Sequence, residues 1–314
     1  MESLVVGNNK FCFDFFQEIS KDDYGKNIFF CPLSLSAAFG MLRLGARNNT
    51  AQQIDEVLHF SEFSQNESKE PDPCLKSNKQ VPLDNSPEGP KKATGSSDVQ
   101  SYLDGVLQFY HTTVESVDFQ KNTEKSRQMI NFWVECQCQG KIKELFSKDA
   151  ISNATTLVLV NAVYFKAKWE KQFDCENTVD LEKKISYEKI TTWSSLENLS
   201  EETVAISFPQ LTLEDSYDLN FVLQNMGMTD IFDETKADLT GISASPTLHL
   251  SKTIHKTFVE VDEAGSQAAA ASGTVVAEKS APLSVQFNAN RPFLFFIQHN
   301  KTRAILFYGR VCSP

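Results

Sequence analysis

Apolar residues recur every three to four positions in several segments of the chain, a spacing that predicts amphipathic helices. Residues 8–20 have one apolar stripe, whereas residues 33–46 are apolar nearly all round and predict a buried helix. A third helix is predicted at 50–60, where Thr50 and Gln53 have the spacing of a capping box. The same reasoning predicts further helices at 102–111, 123–146 (with a break at Gly140), 185–195 and 219–228.

Continuous apolar runs predict strands that are buried on both faces. The clearest run is 157–165, which contains Asn161, an amide that needs hydrogen-bond partners when it is buried. Near the C-terminus, residues 287–297 and 305–311 are two more such runs, joined by the polar turn 299–303. Shorter strands are predicted at 27–32, 112–119 and 203–211.

The composition changes after the third predicted helix. Residues 61–101 are rich in Ser, Pro, Asn, Lys, Asp and Glu and carry few large apolar side chains. This composition predicts a disordered or loosely held loop. A loop of this length can hold a regulatory or partner site, but a tolerated, solvated insertion is the simpler interpretation.

Length and charge narrow the function classes. The 314 residues suffice for one large domain or two ordinary ones, and an apolar share of 41% with 24 Phe allows a sizeable core. The net charge of −11 argues against nucleic acid and an anionic membrane surface as partners. Residues 1–10 show no signal peptide and no stretch has transmembrane length, so we expect a cytoplasmic chain, with unconventional release to the extracellular space left open.

The sequence contains few candidate catalytic or metal-binding residues. The seven Cys are odd in number and scattered, which favours reduced thiols over a disulfide framework. The five His are dispersed, and Cys136 and Cys138 make a poor metal pair, so we expect neither a metal nor a cofactor. The chain lacks a Gly-rich phosphate loop, a paired-carboxylate motif, HExxH and GxSxG, so we do not expect an enzyme.

The stretch 258–273 has the most informative pattern in the chain. It begins as an alternating strand at 258–261, turns at an acidic corner that contains Gly265, and continues as a ribbon of very small residues at 266–273. Such a ribbon could slide between two existing strands, because no bulky group must enter a packed sheet. An Ala-rich linker is the alternative interpretation, since Ala is also a good helix former.

Four segments together resemble the serpin family, in its ovalbumin-type branch (clade B). Residues 27–46 resemble the strand leading into helix B, and residues 159–173 resemble strand three of sheet A. Residues 258–273 resemble strand five with the hinge of the reactive-centre loop, and residues 287–311 resemble the C-terminal signature. The resemblance covers nearly the whole chain. It implies a single α+β domain, 1–314, with three β-sheets, about eight or nine helices and an exposed reactive-centre loop at 264–286, and it implies a monomer.

The resemblance also carries over site residues. It implies a shutter, where sheet A opens, at Ser34, Asn161 and His255, and a breach, where the loop first enters the sheet, at Trp169. Cys31 stands where the family usually has another shutter serine, so one hydroxyl hydrogen bond there is not assured. The implied hinge consists of Glu263, Ala264, Gly265, Ser266, Gln267, Ala268, Ala269, Ala270, Ala271 and Ser272.

The implied function is inhibition of serine proteases by a suicide-substrate mechanism. The reactive bond would lie between Lys279 and Ser280, and a Lys there fits the pocket of a trypsin-like serine protease. That protease is the expected partner, held as a covalent acyl complex when the cleaved loop inserts into sheet A. The alternative is a non-inhibitory or defective serpin-like interaction protein, in which Lys279 is an exposed lysine cleaved as a simple substrate.

Two blocks of the family pattern are absent. A helix and a sheet-A strand are missing between the polar loop and Tyr102, and several strands of sheets B and C are missing between Asp180 and Leu181. Both junctions resemble clean excisions, as from exon skipping or an incomplete gene model. Loss of interior strands leaves their neighbours with unpaired backbone groups, so parts of sheets A, B and C are expected to be missing.

Overall fold

The computed structural model describes residues 2–21, 25–60, 80–84, 97–166, 186–195, 204–209, 211–245, 247–261 and 285–312. Seven α-helices lie in these residues: α1 (Glu2–Ser20), α2 (Pro32–Gly45), α3 (Asn48–Val57), α4 (Ser97–Tyr110), α5 (Phe119–Gln137), α6 (Tyr187–Trp193) and α7 (Leu219–Asn225). One 3-10 turn follows α7, at Asp230–Phe232.

The described residues also contain ten strands in three sheets. They are β1 (Ile28–Phe30), β2 (Gln80–Asp84), β3 (Thr113–Val117), β4 (Val158–Lys166), β5 (Val204–Ser207), β6 (Leu211–Asp218), β7 (Lys252–Val261), β8 (Val285–Asn288), β9 (Phe293–Gln298) and β10 (Ile305–Val311). The largest sheet, which we call the central sheet, has the order β3-β2-β4-β7-β6. A second sheet has the antiparallel order β1-β10-β9, and β5 and β8 form a parallel pair.

The central sheet combines parallel and antiparallel neighbours. β2 runs parallel to β3 and antiparallel to β4, β4 runs parallel to β7, and β6 runs antiparallel to β7. Parallel neighbours cannot be joined by a tight hairpin, so helices make the longer connections. The chain accordingly passes from β2 through α4 before it reaches β3, its parallel neighbour.

Two layers enclose the central sheet. On one face, α5 and the segment that returns from it share a core with side chains of β4 and β7, namely Val158, Val160, Ile254 and Phe258. On the other face, α1, α2, α3 and α7 share a core that includes Leu157 and Leu159. The period of two along β4 sends successive side chains into these two different cores, and this explains why the predicted strand is apolar without interruption.

The helices agree with the sequence prediction in place but not in every detail. α2 lies where the apolar spacing predicted it, and α1 ends at the predicted Ser20 but begins at Glu2 instead of residue 8. The predicted capping box is not formed: α3 has Arg47 as its N-cap, without a side-chain cap, and Thr50 Oγ1 instead accepts a hydrogen bond from Asp238 N at 3.0 Å. The break predicted at Gly140 is confirmed, since Gln139 and Gly140 take φ +53 and +74, but α5 ends at Gln137 and no helix follows at 141–146.

The polar stretch predicted as a loop at 61–101 contains regular structure. β2 lies at Gln80–Asp84, and α4 begins at Ser97. The remaining residues of that stretch, 61–79 and 85–96, lie outside the described part of the chain. The strand predicted at 203–211 is also two elements, because β5 ends at Ser207 and β6 begins at Leu211.

Candidate functional site

The candidate site is the seam between the parallel strands β4 and β7, at the middle of the central sheet. The two strands are in register over nine residue pairs, from Val158 beside Lys252 to Lys166 beside Glu260. Asn161 and His255 form one of these pairs, and their exposed fractions are only 1% and 0%. The seam therefore places two polar side chains side by side in the interior.

The imidazole of His255 is hydrogen-bonded to Cys31, the residue that caps the start of α2. The backbone N–H of Cys31 donates to His255 Nε2 at 3.0 Å. Nε2 of the imidazole therefore acts as the acceptor toward the backbone of Cys31. The ring of Tyr217, on β6, stacks on the imidazole at a centroid distance of 6.3 Å.

Ser34 reaches the site through Cys31. Cys31 is the N-cap of α2, and its Sγ accepts a hydrogen bond from Ser34 N at 3.4 Å. The Ser34 hydroxyl donates in return to the Cys31 carbonyl at 3.0 Å. The thiol thus takes over the capping role of a serine hydroxyl, the usual residue type at this position of a helix.

A second set of hydrogen bonds ties β1 to β7 and β6. The hydroxyl of Thr257, which is fully buried, donates to the Phe29 carbonyl at 2.7 Å. The Phe29 N–H donates to Asp215 Oδ2 at 3.0 Å, and the Tyr217 hydroxyl donates to the same oxygen at 2.5 Å. These bonds hold β1 beneath the β7 side of the seam.

In the described part of the chain, Asn161 lacks side-chain hydrogen bonds of the kind that His255 Nε2 and the Thr257 hydroxyl make. Its side-chain nitrogen and oxygen are buried and make no hydrogen bond within the described residues. A buried amide without partners loses its water contacts and recovers nothing in exchange, at a cost of about 1–3 kcal/mol. The expectation that a buried Asn161 would be fully hydrogen-bonded is therefore not met in this arrangement of the sheet.

The outer face of the seam is covered by α5 and the segment that follows it. Asn131, 8% exposed, fastens that segment: its Nδ2 donates to the Phe146 carbonyl at 2.8 Å, and its Oδ1 accepts from the backbone nitrogens of Leu145 and Phe146 at 3.1 and 2.9 Å. Lys141 then reaches across to β7, where its Nζ lies 2.9 Å from Glu260 Oε2. The cover is thus attached to β7 at the end of the seam from which the ribbon continues.

The structure brings together the predicted residues that it describes. Ser34, Asn161 and His255 lie within one connected site, whereas Trp169, the hinge 263–272 and the bond between Lys279 and Ser280 lie outside the described residues. The sequence analysis missed Thr257, Tyr217 and the capping role of Cys31. One signal was present, since polar residues occupy every second position of β7 at Thr253, His255 and Thr257, all fully buried.

The described part of the chain shows neither a metal-ion site nor a helix suited to crossing a membrane. No group of three His, Cys, Asp or Glu side chains there is arranged to hold a metal ion. No described helix has both the length and the apolar character that crossing a bilayer requires.

The chain matches known proteins over nearly its whole length. The family model described as Serpin (serine protease inhibitor) matches residues 6–180 and 176–314. Serpin B12 of Homo sapiens is 57% identical over 405 aligned residues, and Serpin B12 of Mus musculus is 51% identical over 423, with 100% of each chain covered in both cases. Both alignments are longer than the 314 residues of this chain, so they open gaps in it.

Solved structures give the same result for the fold. Uncleaved ovalbumin superimposes with a TM-score of 0.82 at 26% identity, covering 99% of this chain and 100% of that one. A tumour suppressing serpin superimposes with a TM-score of 0.79 at 22% identity, covering 100% of both. The two family matches meet at 176–180, beside the predicted junction between Asp180 and Leu181. The chain therefore belongs to the serpin family, in its clade B branch.

Proposed function

We propose that the chain inhibits trypsin-like serine proteases by loop insertion, with the bond between Lys279 and Ser280 as the reactive bond. The observation that carries the proposal is the parallel pairing of β4 and β7. The ribbon follows β7 directly, so a ribbon that folds back onto the sheet runs antiparallel to β7 and therefore also to β4. Inserted between them, it would make two antiparallel ladders in place of one parallel ladder, and antiparallel pairing is slightly more stable per residue.

The energy available from such an insertion is large. The seam has nine residue pairs, so a strand of similar length adds about one further ladder of that size. About ten new hydrogen bonds at about 1 kcal/mol net give on the order of 10 kcal/mol. That amount is comparable with the whole stability of a typical domain, so the unclipped chain would have to be held kinetically.

The hydrogen bonds at the site favour opening of the seam. His255 and Thr257 are hydrogen-bonded to the backbone of Cys31 and Phe29, which lie below the sheet. These bonds can remain intact while β4 moves away from β7. The polar side chain on the β4 side, Asn161, has no side-chain hydrogen bond to lose among the described residues.

The chemistry before insertion is ordinary acyl transfer. The protease serine attacks the Lys279 carbonyl, the bond to the Ser280 nitrogen breaks, and that nitrogen leaves with a proton supplied by the protease histidine. The Lys279 carbonyl is then esterified to the protease. Insertion of the ribbon before water hydrolyses this ester would carry the bound protease along the sheet.

The second candidate function is that of a non-inhibitory or defective serpin whose loop is cleaved without trapping. One observation favours it: β2 and β4 share a single residue pair, so this part of the central sheet is thinly joined. If the sheet separates between β2 and β4 instead of between β4 and β7, the ribbon does not insert at the β4–β7 seam and the protease is not trapped.

Incubation of the purified chain with trypsin, followed by a denaturing gel, separates the two candidates. The inhibitor gives a covalent band at the summed mass and cleavage after Lys279, and Lys279→Ala loses that band while the control Lys301→Ala keeps it. Ser266→Glu, which puts a charge into the inserting ribbon, should abolish the band and leave cleavage intact, whereas Ser266→Ala should change little. Cleavage after Lys279 without any covalent band in the unaltered chain would refute trapping and leave the non-inhibitory function.

A further inference from the structure

One strand of the central sheet comes from the polar insert. β2 pairs in parallel with β3 along its whole length, from Gln80 beside Thr113 to Asp84 beside Val117. On its other side it pairs antiparallel with β4, through Gln80 beside Val160. A segment with the composition of a solvated loop thus occupies an interior position of the sheet.

β2 is the join between the two halves of the described sheet. β3 is hydrogen-bonded to β2 and not to β4, because the strand order is β3-β2-β4. β3 in turn connects α4 to α5, so the position of α5 over the seam depends on where β3 is held. Without β2, the backbone groups of β3 that face the sheet would have no ladder partner.

The pairing of β2 is uneven. It has five residue pairs with β3 but only one with β4. Pro82, at the centre of β2, has no backbone N–H, and proline is normally confined to edge strands for this reason. β2 is therefore held chiefly by β3, and its contact with β4 is the weak join of the sheet.

We infer that in this shortened chain the polar insert acts as a strand donor: Gln80–Asp84 fills the sheet position left by the missing strand and keeps β3 joined to β4. The inference goes beyond the proposed function, because it concerns how the sheet is completed and holds whether or not the sheet accepts the reactive loop. It assigns a structural role to a segment whose composition indicates a dispensable insertion.

Hydrogen–deuterium exchange on the unaltered chain tests the inference directly. Successive strand amides point to opposite edges, so those among Val81, Leu83 and Asp84 that face β3 should exchange at least about a hundredfold more slowly than in an unstructured peptide. Their protection should be similar to that of β3, because the two strands share a ladder. Exchange of these amides at the unstructured rate would overturn the inference, whatever the result of the protease experiment.

A matched pair of proline substitutions supplies the second test. Leu83→Pro removes a backbone N–H from β2 and restricts the strand backbone, so it should lower the melting temperature by about 2–4 °C and speed amide exchange in β3, while β9 and β10 keep their protection. Leu75→Pro is the same change within the insert but outside the paired strand, and it should shift the melting temperature by less than about 1 °C.

Each outcome of this pair is decisive. Equal losses from both substitutions, or no change in β3 exchange after Leu83→Pro, would overturn the strand-donor role. If Leu83→Pro does not fold while Leu75→Pro does, the exchange rates of the unaltered chain decide the question.

Discussion

Two buried asparagines should respond in opposite directions to the same substitution. Asn131 makes three side-chain hydrogen bonds, whereas the amide of Asn161 makes none within the described residues. Leucine has nearly the shape of asparagine, so Asn→Leu removes the polar atoms with little change in packing. The comparison therefore separates the hydrogen-bonding contribution of each amide from its volume.

The magnitudes follow from the hydrogen bonds. Asn131→Leu leaves two backbone N–H groups and one carbonyl near Phe146 without this partner, so it should lower the free energy of unfolding by about 3–5 kcal/mol. Asn161→Leu removes a buried amide that has no partner among the described residues, so it should raise that free energy by about 1–2 kcal/mol, after some loss to the added bulk.

Urea unfolding followed by far-ultraviolet circular dichroism measures both changes. The urea midpoint should fall for Asn131→Leu and rise for Asn161→Leu, with the slope of the transition unchanged in each. A midpoint that falls for Asn161→Leu by as much as for Asn131→Leu would refute the reasoning, because it would mean that the Asn161 amide is hydrogen-bonded in the resting protein.

The same variant bears on loop insertion. A strand inserted beside β4 would bring backbone donors and acceptors close to Asn161, and an amide can bind these where leucine cannot. Asn161→Leu should therefore give less covalent complex with trypsin while making the resting chain more stable. An unchanged yield of complex would show that Asn161 takes no part in accepting the strand.

Two further predictions concern the cover of the seam and the second sheet. The hydrogen bond from Arg127 lowers the pKa of Glu124 from 4.5 to about 2. This pair therefore stabilises the fold above pH 4.5, and its contribution is lost as the pH falls towards 2. Glu124→Gln should flatten the acid side of a plot of melting temperature against pH, and an unaltered plot would contradict this. Gly309→Ala should lower the free energy of unfolding by about 1–3 kcal/mol, measured by urea unfolding, because the added Cβ would lie 2.4 Å from the Phe295 ring; no loss would show that the ring moves aside freely.

The pattern of apolar residues was sufficient to predict a helix or strand where that element buries its own apolar side chains. The apolar spacing of α2 and the apolar runs of β4 and β10 predicted each element close to its observed place. These signals are reliable because each segment must bury its own apolar side chains, whatever its neighbours are. The run predicted at 287–297 is two strands instead, because β8 ends at Asn288 and β9 begins at Phe293 in a different sheet.

Local patterns failed where a tertiary contact decides. The capping role of Thr50 was wrong because its hydroxyl is engaged by Asp238, 188 residues away. β2 was missed because five residues that include a proline carry no distinct strand signal, and the partners that stabilise it lie elsewhere in the chain. The link from Cys31 to His255 spans 224 residues and uses a backbone N–H, which every residue other than proline possesses.

The sequence by itself determined the family, most of the apolar elements, and Asn161 and His255 as polar residues within apolar strands, because side-chain chemistry and spacing carry that information. The tertiary structure decided which strands are neighbours, that β4 and β7 are parallel and in register, and that a strand from the polar insert joins β3 to β4. The physical reason is that strands pair through backbone N–H and C=O groups. These groups are nearly the same in every residue, so they specify a partner only when the rest of the fold brings two strands together.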